Sequence, residues 1–540
     1  MALCASNVTS GFVDLATYDE LEKYMYGGAD ATAYFVRETR KSTWFTQVPV
    51  CLTRSSGDAQ FGQEWSAQIS RSGDYLLNTW LQVTFPAVKA VSTSGSVAAA
   101  TGKLPQLRWC HNLMHNLVEE ASITFNDLVA ARFDSYHLDF WSQFAVPESK
   151  YDGYKAMIGS NKSGCQPVTD ATTSAVLCGQ HGLSSNAYNL EDGHTMNNGT
   201  AESLPESTLF LPLPFFFSRD SGVALPTAAL PYNEMRINLK FRNWDQLLLV
   251  SDLDKSNVEI KPASASMTVS QTGDLDSTYT LDPSAPKLTN VHVWGNYAIV
   301  SNDERKRMAC APRDMLIEQV QTAPRQSYEP ATNASPSYNL RFSHAIKALF
   351  FAVRNKTCPT EWSYYTVAQP LGGHGFAADG TGLANVGVDE HTQFPDFFNA
   401  AYMSVAGNNV RGAPKLNDPV DNVSLVYENT ARLQNMSSGY HSLVQPHYHA
   451  PVNAAREPGY HMYSYSLDFM SLDPLGSTNY GKLTNVSISP VASQAAKSAA
   501  SGSGSGVNAL FEKQKYEFVC TAVNNNIIRI SGGALGFPVL

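Results

Sequence analysis

One structural phrase occurs twice in this chain, and that repetition constrains the fold more than any other feature. In the first half, Ser122-Ile123-Thr124-Phe125-Asn126-Asp127 leads to Ala131-Arg132 and then Tyr136-His137. In the second half, Ser424-Leu425-Val426-Tyr427-Glu428-Asn429 leads to Ala431-Arg432 and then Tyr440-His441. Two further matches keep the order: Gln47-Val48-Pro49-Val50 with Gln319-Val320-Gln321-Thr322, and Tyr232-Asn233-Glu234-Met235 with Tyr480-Gly481-Lys482-Leu483. The offsets are 319 − 47 = 272, 424 − 122 = 302 and 480 − 232 = 248. A duplicated domain with insertions of unequal length produces such numbers. Each match is weak alone, so the shared order carries the argument.

At 540 residues the chain exceeds what one hydrophobic core supports, which also favours two or more domains. Only 16% of residues are charged, and Tyr and Phe stand at 25 each. Broad rings suit a pleated, half-buried surface. A net charge of −10 argues against a surface that grips nucleic acid directly. The densest basic run, Arg305-Lys306-Arg307, follows Asp303-Glu304 and reads as a solvated turn. Met1 to Asp14 carries no basic n-region or apolar h-region, so synthesis in the cytosol is expected. The most apolar stretch, Leu209 to Phe217, is about half the length of a spanning helix and contains Pro212 and Pro214. Eight cysteines at irregular spacing read as free thiols. Eight Asn-x-Ser/Thr sequons are expected to be incidental without a route into the secretory pathway.

Near the start, Thr17 and Glu20 form a capping box, Leu21, Tyr24 and Met25 share a helical face, and Gly27-Gly28 supplies a stop. Such an arm either packs on its own domain or docks on a neighbour. Alternation then predicts strands over Gln63–Ser70, Tyr75–Phe85, Leu117–Phe125, Met235–Phe241, Tyr460–Leu467 and Tyr516–Ala522, with a buried strand over Ala345–Val353. Many strands between Gly, Pro, Asn and Ser turns mean sandwiches or barrels. Asp152 to Glu206 and Cys358 to Pro419 read as insertions, Ala495 to Gly506 as a flexible loop, and Asp252 to Lys287 as the region between repeats.

Candidate chemistry is sparse. His111, His115 and Glu119 have helical i, i+4, i+8 spacing for a metal, but the segment runs into an alternating strand. Cys178-Gly179-Gln180-His181 lacks further partners, and His447-Tyr448-His449 would place two imidazoles on one strand face without an identifiable carboxylate. No nucleophile elbow, zinc-protease, P-loop or dinucleotide motif sits in a credible context. A non-enzymatic chain is expected, with no catalytic, cofactor-binding or metal residues assigned and no cofactor.

The stretch LPLPFFFSRDSGVALPTAALPYNEMRINLKF, Leu211 to Phe241, resembles the major capsid proteins of iridoviruses within the nucleocytoplasmic large DNA viruses. The resemblance extends through Ser10–Gly28, Arg71–Leu81, Met114–Asp127, Leu340–Phe351, Ser424–Leu433, Gly476–Asn485 and the closing NNNIIRISGGALGFPVL. It departs at 152–206 and 358–419.

The resemblance implies an all-β fold of two tandem eight-stranded antiparallel jelly rolls, with an N-terminal helical arm and long loop insertions. The expected layout is an arm over 1–35, a first jelly roll over 36–252, a connection over 253–286 and a second jelly roll over 287–540. It further implies a homotrimer whose six jelly rolls form a pseudo-hexagonal capsomer in an icosahedral shell. That shell encloses a membrane and double-stranded DNA, with no direct nucleic-acid binding by this chain. Neighbouring capsomers, minor capsid and penton proteins, the underlying membrane and a host receptor touched by outer loops are the expected partners. On the same analogy the N-terminal helix lies on the inner face and the two insertions on the outside. The virion is the expected location, with synthesis and assembly in the host cytoplasm. The alternative is a tandem β-sandwich that binds or processes glycans.

Overall fold

The computed structural model describes residues 3–537 apart from 38, 40, 93–105, 160–166, 170–175, 179–199, 205, 252–259, 263–265, 271–275, 311, 334, 357–359, 361, 368–417, 453–458 and 502–513. The first sandwich uses β1 (Phe45–Cys51), β2 (Thr53–Gly57), β3 (Glu64–Gln68), β4 (Tyr75–Phe85), β5 (Val118–Phe125), β6 (Leu128–Asp134), β7 (Ser207–Leu213), β8 (Met235–Phe241) and β9 (Thr289–Val300). Its two sheets run in the orders β1-β9-β4-β7 and β2-β3-β8-β5-β6. The second uses β10 (Arg313–Thr322), β11 (Tyr338–Asn339), β12 (Ala345–Asn355), β13 (Val420–Tyr427), β14 (Thr430–Ser437), β15 (Tyr460–Ser464), β16 (Val486–Ala492) and β17 (Tyr516–Ser531). Its sheets, β10-β17-β12-β15 and β11-β16-β13-β14, repeat the first order strand for strand once the β2–β3 hairpin is counted as one. The pairings β4–β7, β5–β8, β10–β17, β12–β15 and β13–β16 are antiparallel, and the strand order is that of a jelly roll.

Alternation explains which sheet face is inside. In β8, Met235, Ile237, Leu239 and Phe241 are buried; in β3, Trp65 and Ala67 are buried, with Ile69 following. Cross-strand pairs place like with like: Leu81 sits opposite both Leu211 and Val293, and Leu425 opposite Ile488.

The repeated phrase lands on equivalent strands. Gln47 and Gln319 lie in β1 and β10, and Ser122 and Ser424 in β5 and β13. Both of the latter strands reverse through two residues at positive φ, Asn126 (49°) and Asp127 (65°) in one, Glu428 (47°) and Asn429 (69°) in the other. Two consecutive left-handed residues match the twist of a hairpin. The third match is out of register. Asn126 N–H donates to Glu234 O and Glu428 N–H to Asn485 O, each at 2.9 Å, which equates 234 with 485. That offset is 485 − 234 = 251, three residues from the 248 of the sequence match.

Several expectations need correction. The region between the sandwiches does not lie at 253–286, because β9 pairs with β4 and so belongs to the first sandwich through Val300. Residues 266–270 and 276–282 form strands in a four-stranded sheet with 88–92 and 200–204. Asn302–Cys310, read as a solvated turn around Arg305-Lys306-Arg307, is a helix with Asp303 and Glu304 in its first turn. Residues 494–501, within the stretch expected to be a flexible loop, are helical.

Residues 1–45 form a separate unit containing α1 (Leu3–Ala16) and α2 (Glu20–Met25). Asp19, not Thr17, caps α2, accepting from Glu20 N–H at 2.8 Å, while Thr17 Oγ1 donates to Asp14 O. Leu21, Tyr24 and Met25 are exposed. Among the described residues, no helix is long and apolar enough to cross a membrane.

Candidate assembly interface

The two sandwiches meet around α4 (Ser135–Phe144), which directly follows β6. Asp134 starts it, its carboxylate accepting from His137 N–H at 2.9 Å. Tyr136, Phe140 and Phe144 then fall at i, i+4 and i+8, forming one apolar stripe. The stripe packs on the outer face of the second sandwich's β10-β17-β12-β15 sheet, against Ala348, Phe350, Ala352, Tyr460, Met462, Val519 and Val523. Phe350 stacks with both Phe140 (5.9 Å between centroids) and Phe144 (5.6 Å). Tyr460 meets Phe140 edge-on at 5.9 Å.

Polar groups ring this contact. Asp139 of α4 is buried and accepts from Asn112 Nδ2 (3.0 Å), Ser363 Oγ (2.7 Å) and Tyr365 OH (2.9 Å), and lies 2.8 Å from His115 Nδ1. His115 Nε2 in turn lies 2.7 Å from Tyr154 OH. Burial, with the nearby Asp139 charge, holds the Tyr365 phenol well above its ordinary range. Two guanidiniums lie over the Trp362 ring, Arg242 at 4.0 Å and Arg354 at 4.4 Å from its centre. Arg354 also donates to Glu517 Oε1 at 2.9 Å and to Tyr136 OH at 3.2 Å. Beside them, buried Glu318 pairs with two cations, Lys347 through one oxygen and Arg219 through the other at 2.6 Å. Removing charges from water is costly unless they are paired, and Glu318 is paired with Lys347 and Arg219, and Arg354 with Glu517. Buried Arg242 instead donates to Asn116 O at 2.7 Å and Ser135 Oγ at 2.9 Å.

Two histidines of the repeated phrase are each buried in their own sandwich's surroundings with the same effect. His137 on α4 and His441 in the helical turn Tyr440–Val444 are both buried, and desolvation lowers the pKa of each from 6.5 to about 3. Arg219 adds to the effect at His137, and His461 at His441. His461 itself lies 2.7 Å from buried Asp418.

The residues weighed for chemistry do not converge. His115 lies in α3 (Leu113–Leu117) and serves Asp139, whereas Glu119 faces Lys240 at 3.1 Å. His447, Tyr448 and His449 belong to a helix, α7 (Gln445–His449; α5 is Glu148–Met157 and α6 is Asn302–Cys310), not to a strand, so the imidazoles do not share a face. Cys178 ends a short strand, and 179–181 lie outside the described residues. Among the described residues no group of three or more His, Cys, Asp or Glu could hold a metal ion. Most of 152–206 and 358–419 also lies outside the described residues. The parts that are described include Tyr154, buried in the core of the first sandwich, and Ser363 and Tyr365, buried on Asp139 at the contact between sandwiches. No sequence expectation covers α4, although Tyr136, Phe140 and Phe144 at four-residue spacing, shortly after the strand expected over Leu117–Phe125, are a usable signal.

Known proteins match along nearly the whole chain. The family model for the major capsid protein N-terminus matches residues 33–300, and that for the large eukaryotic DNA virus major capsid protein matches 304–536. The chain is 52% identical to the major capsid protein of Costelytra zealandica iridescent virus over 541 residues, covering 100% of both chains. It is 43% identical to that of Lymphocystis disease virus 1, again covering 100% of both. In solved structures, the capsid of the virus PBCV-1 aligns with a TM-score of 0.60 at 18% identity, over 94% of this chain and 100% of that one. The Faustovirus major capsid protein gives 0.59 at 12% identity, over 93% of each. These likenesses give no support to a glycan-binding or glycoside-processing protein. The two family models together and the relatives at 52% and 43% identity over their full length show that this chain, with its two jelly rolls of matching strand order, belongs to the family of large eukaryotic DNA virus major capsid proteins.

Proposed function

We propose that this non-enzymatic major capsid protein, a component of the virion shell, works by associating into trimers that act as pseudo-hexagonal building blocks. The supporting observation is the duplication itself: two sandwiches of the same strand order stand side by side in one chain, fixed by a buried contact. Three such chains supply six sandwiches, which approximates sixfold packing while leaving two kinds of lateral surface. Repeated contacts of modest size then add up across a shell. In this reading the blocks tile an icosahedron above a membrane, assemble in the host cytoplasm with minor capsid and penton proteins, and contact a host receptor from outside. The negative net charge suits a shell that does not hold the genome directly.

Sedimentation and electron microscopy of the purified chain test this. A species near 3 × 58.9 ≈ 177 kDa that forms hexagonal arrays is expected. A chain that stays monomeric at every concentration, or one whose melting point rises only with added oligosaccharide, overturns the reading.

A further inference from the structure

The contact inside the chain uses one helix and one sheet face, and the repeat supplies a second copy of each. The helix position after β6 is matched by the segment after β14. Adding 304 to Tyr136, Phe140 and Phe144 gives Tyr440, Val444 and Tyr448. Tyr440 is half-buried against its own sandwich, but Val444 is 43% and Tyr448 72% exposed. Next to them, Leu467 is also exposed, its carbonyl 3.0 Å from His449 Nδ1.

The receiving face has its duplicate too. β4 and β12 are both eleven residues long, and each occupies the same place in its sheet. Phe350, the sixth residue of β12, takes Phe140 and Phe144 on the outer face. The sixth residue of β4 is Trp80, also on the outer face, stacked on Trp294 of β9 at 6.5 Å and 8°. Asn78, Gln82, His292, Asn296 and Phe210 surround this pair and are exposed or half-buried. Beside it opens a cleft of about 460 Å³, lined by Trp80, Trp141, Tyr154, Met157 and Phe210. Where the second sandwich's face is dry and covered, the first sandwich's equivalent is open.

We infer that Val444 and Tyr448 of one chain seat on the Trp80–Trp294 face of the next chain, repeating between subunits the contact that α4 makes within one. The occupant is a second copy of this chain because the chain carries one donor and one acceptor of this kind already engaged with each other, and one of each left over. A donor on one sandwich and an acceptor on the other make the contact head-to-tail, and a head-to-tail contact must close into a ring or run on as a filament. A turn per sandwich of one sixth of a circle closes it at three chains. The inference rests on the trimer reading above and assigns the surfaces that make it.

A complementation experiment tests it on the full-length chain. Tyr448→Asp removes the donor, and Trp80→Asp removes the acceptor. Because a strand-centre substitution can disturb folding, Phe210→Asp at the exposed edge provides a second acceptor variant. Each variant alone is expected to sediment as a folded monomer of 58.9 kDa with the wild-type circular dichroism spectrum. Mixed in equal amounts, a donor variant and an acceptor variant retain one intact contact between them and are expected to form a dimer of 2 × 58.9 ≈ 118 kDa. Variants that remain trimeric, or folded variants whose mixture stays monomeric, overturn the assignment of surfaces while the trimer stands. A wild-type chain that is itself monomeric instead overturns the trimer reading.

Discussion

Glu318 faces Lys347 and Arg219 with almost no water to share the charge. A buried carboxylate in this position is best understood by what its removal leaves. Glu318→Gln abandons two desolvated cations, and breaking buried pairs of this kind costs about 3–5 kcal/mol. The expected outcome is a lower denaturant midpoint, read by tryptophan fluorescence, with the slope of the transition unchanged. His137 and His441 make a different claim, about pH. Each titrates near 6.5 when unfolded and near 3 when folded, so above 6.5 neither state holds the proton and stability is unaffected. As pH falls from 6.5 towards 3 the unfolded chain takes up protons that the folded chain refuses, and stability is lost at about 1.4 kcal/mol per pH unit for each histidine. Melting curves between pH 7 and pH 4 are expected to show this slope. His137→Leu and His441→Leu should each flatten it, whatever they do to the midpoint at pH 7.

At the scale of elements, α4 joins the two sandwiches, and Phe140 is its centre. Phe140→Ala opens a cavity between Phe350, Tyr365 and Tyr460, at a cost of about 3–5 kcal/mol. Because the loss falls between sandwiches and not within either, limited proteolysis is expected to cut near α4 before either β-rich half is degraded. The elements also show what sequence could and could not reveal. The strands were legible because period-two alternation in stretches such as Met235–Phe241 follows directly from one face being buried. The hairpins at Asn126-Asp127 and Glu428-Asn429 lay hidden in the repeated phrase, since Glu at positive φ gives no turn signal of its own. The first sandwich was placed too short because β9 returns to it after a long excursion, and no local pattern records which sheet a strand rejoins. The helix position after each hairpin was visible as Tyr136-His137 and Tyr440-His441, yet its role was not. An apolar stripe reads the same whether it faces its own core or a neighbour's.

On the scale of the whole molecule, the sandwiches are not independent. Strand β17 begins in one core and ends in the other: Phe518, Cys520 and Ala522 pack in the second sandwich. Met315, Ile317, Ile528 and Ile530 join the core of the first. Leu535 N–H adds a bond to Asn233 Oδ1 at 3.1 Å. The double variant Ile528→Ala/Ile530→Ala is therefore expected to loosen the first sandwich more than the second, each truncation costing about 2–5 kcal/mol. Hydrogen exchange should report faster opening in β5 and β8 than in β13 and β16. The same arrangement reaches back into protein synthesis. Ile528 emerges from the ribosome 228 residues (528 − 300) after Val300 closes the strand set of the first sandwich. Until then that nascent domain carries an apolar gap it cannot fill itself. The first sandwich is therefore expected to reach its finished packing only once residues 528–530 have been made.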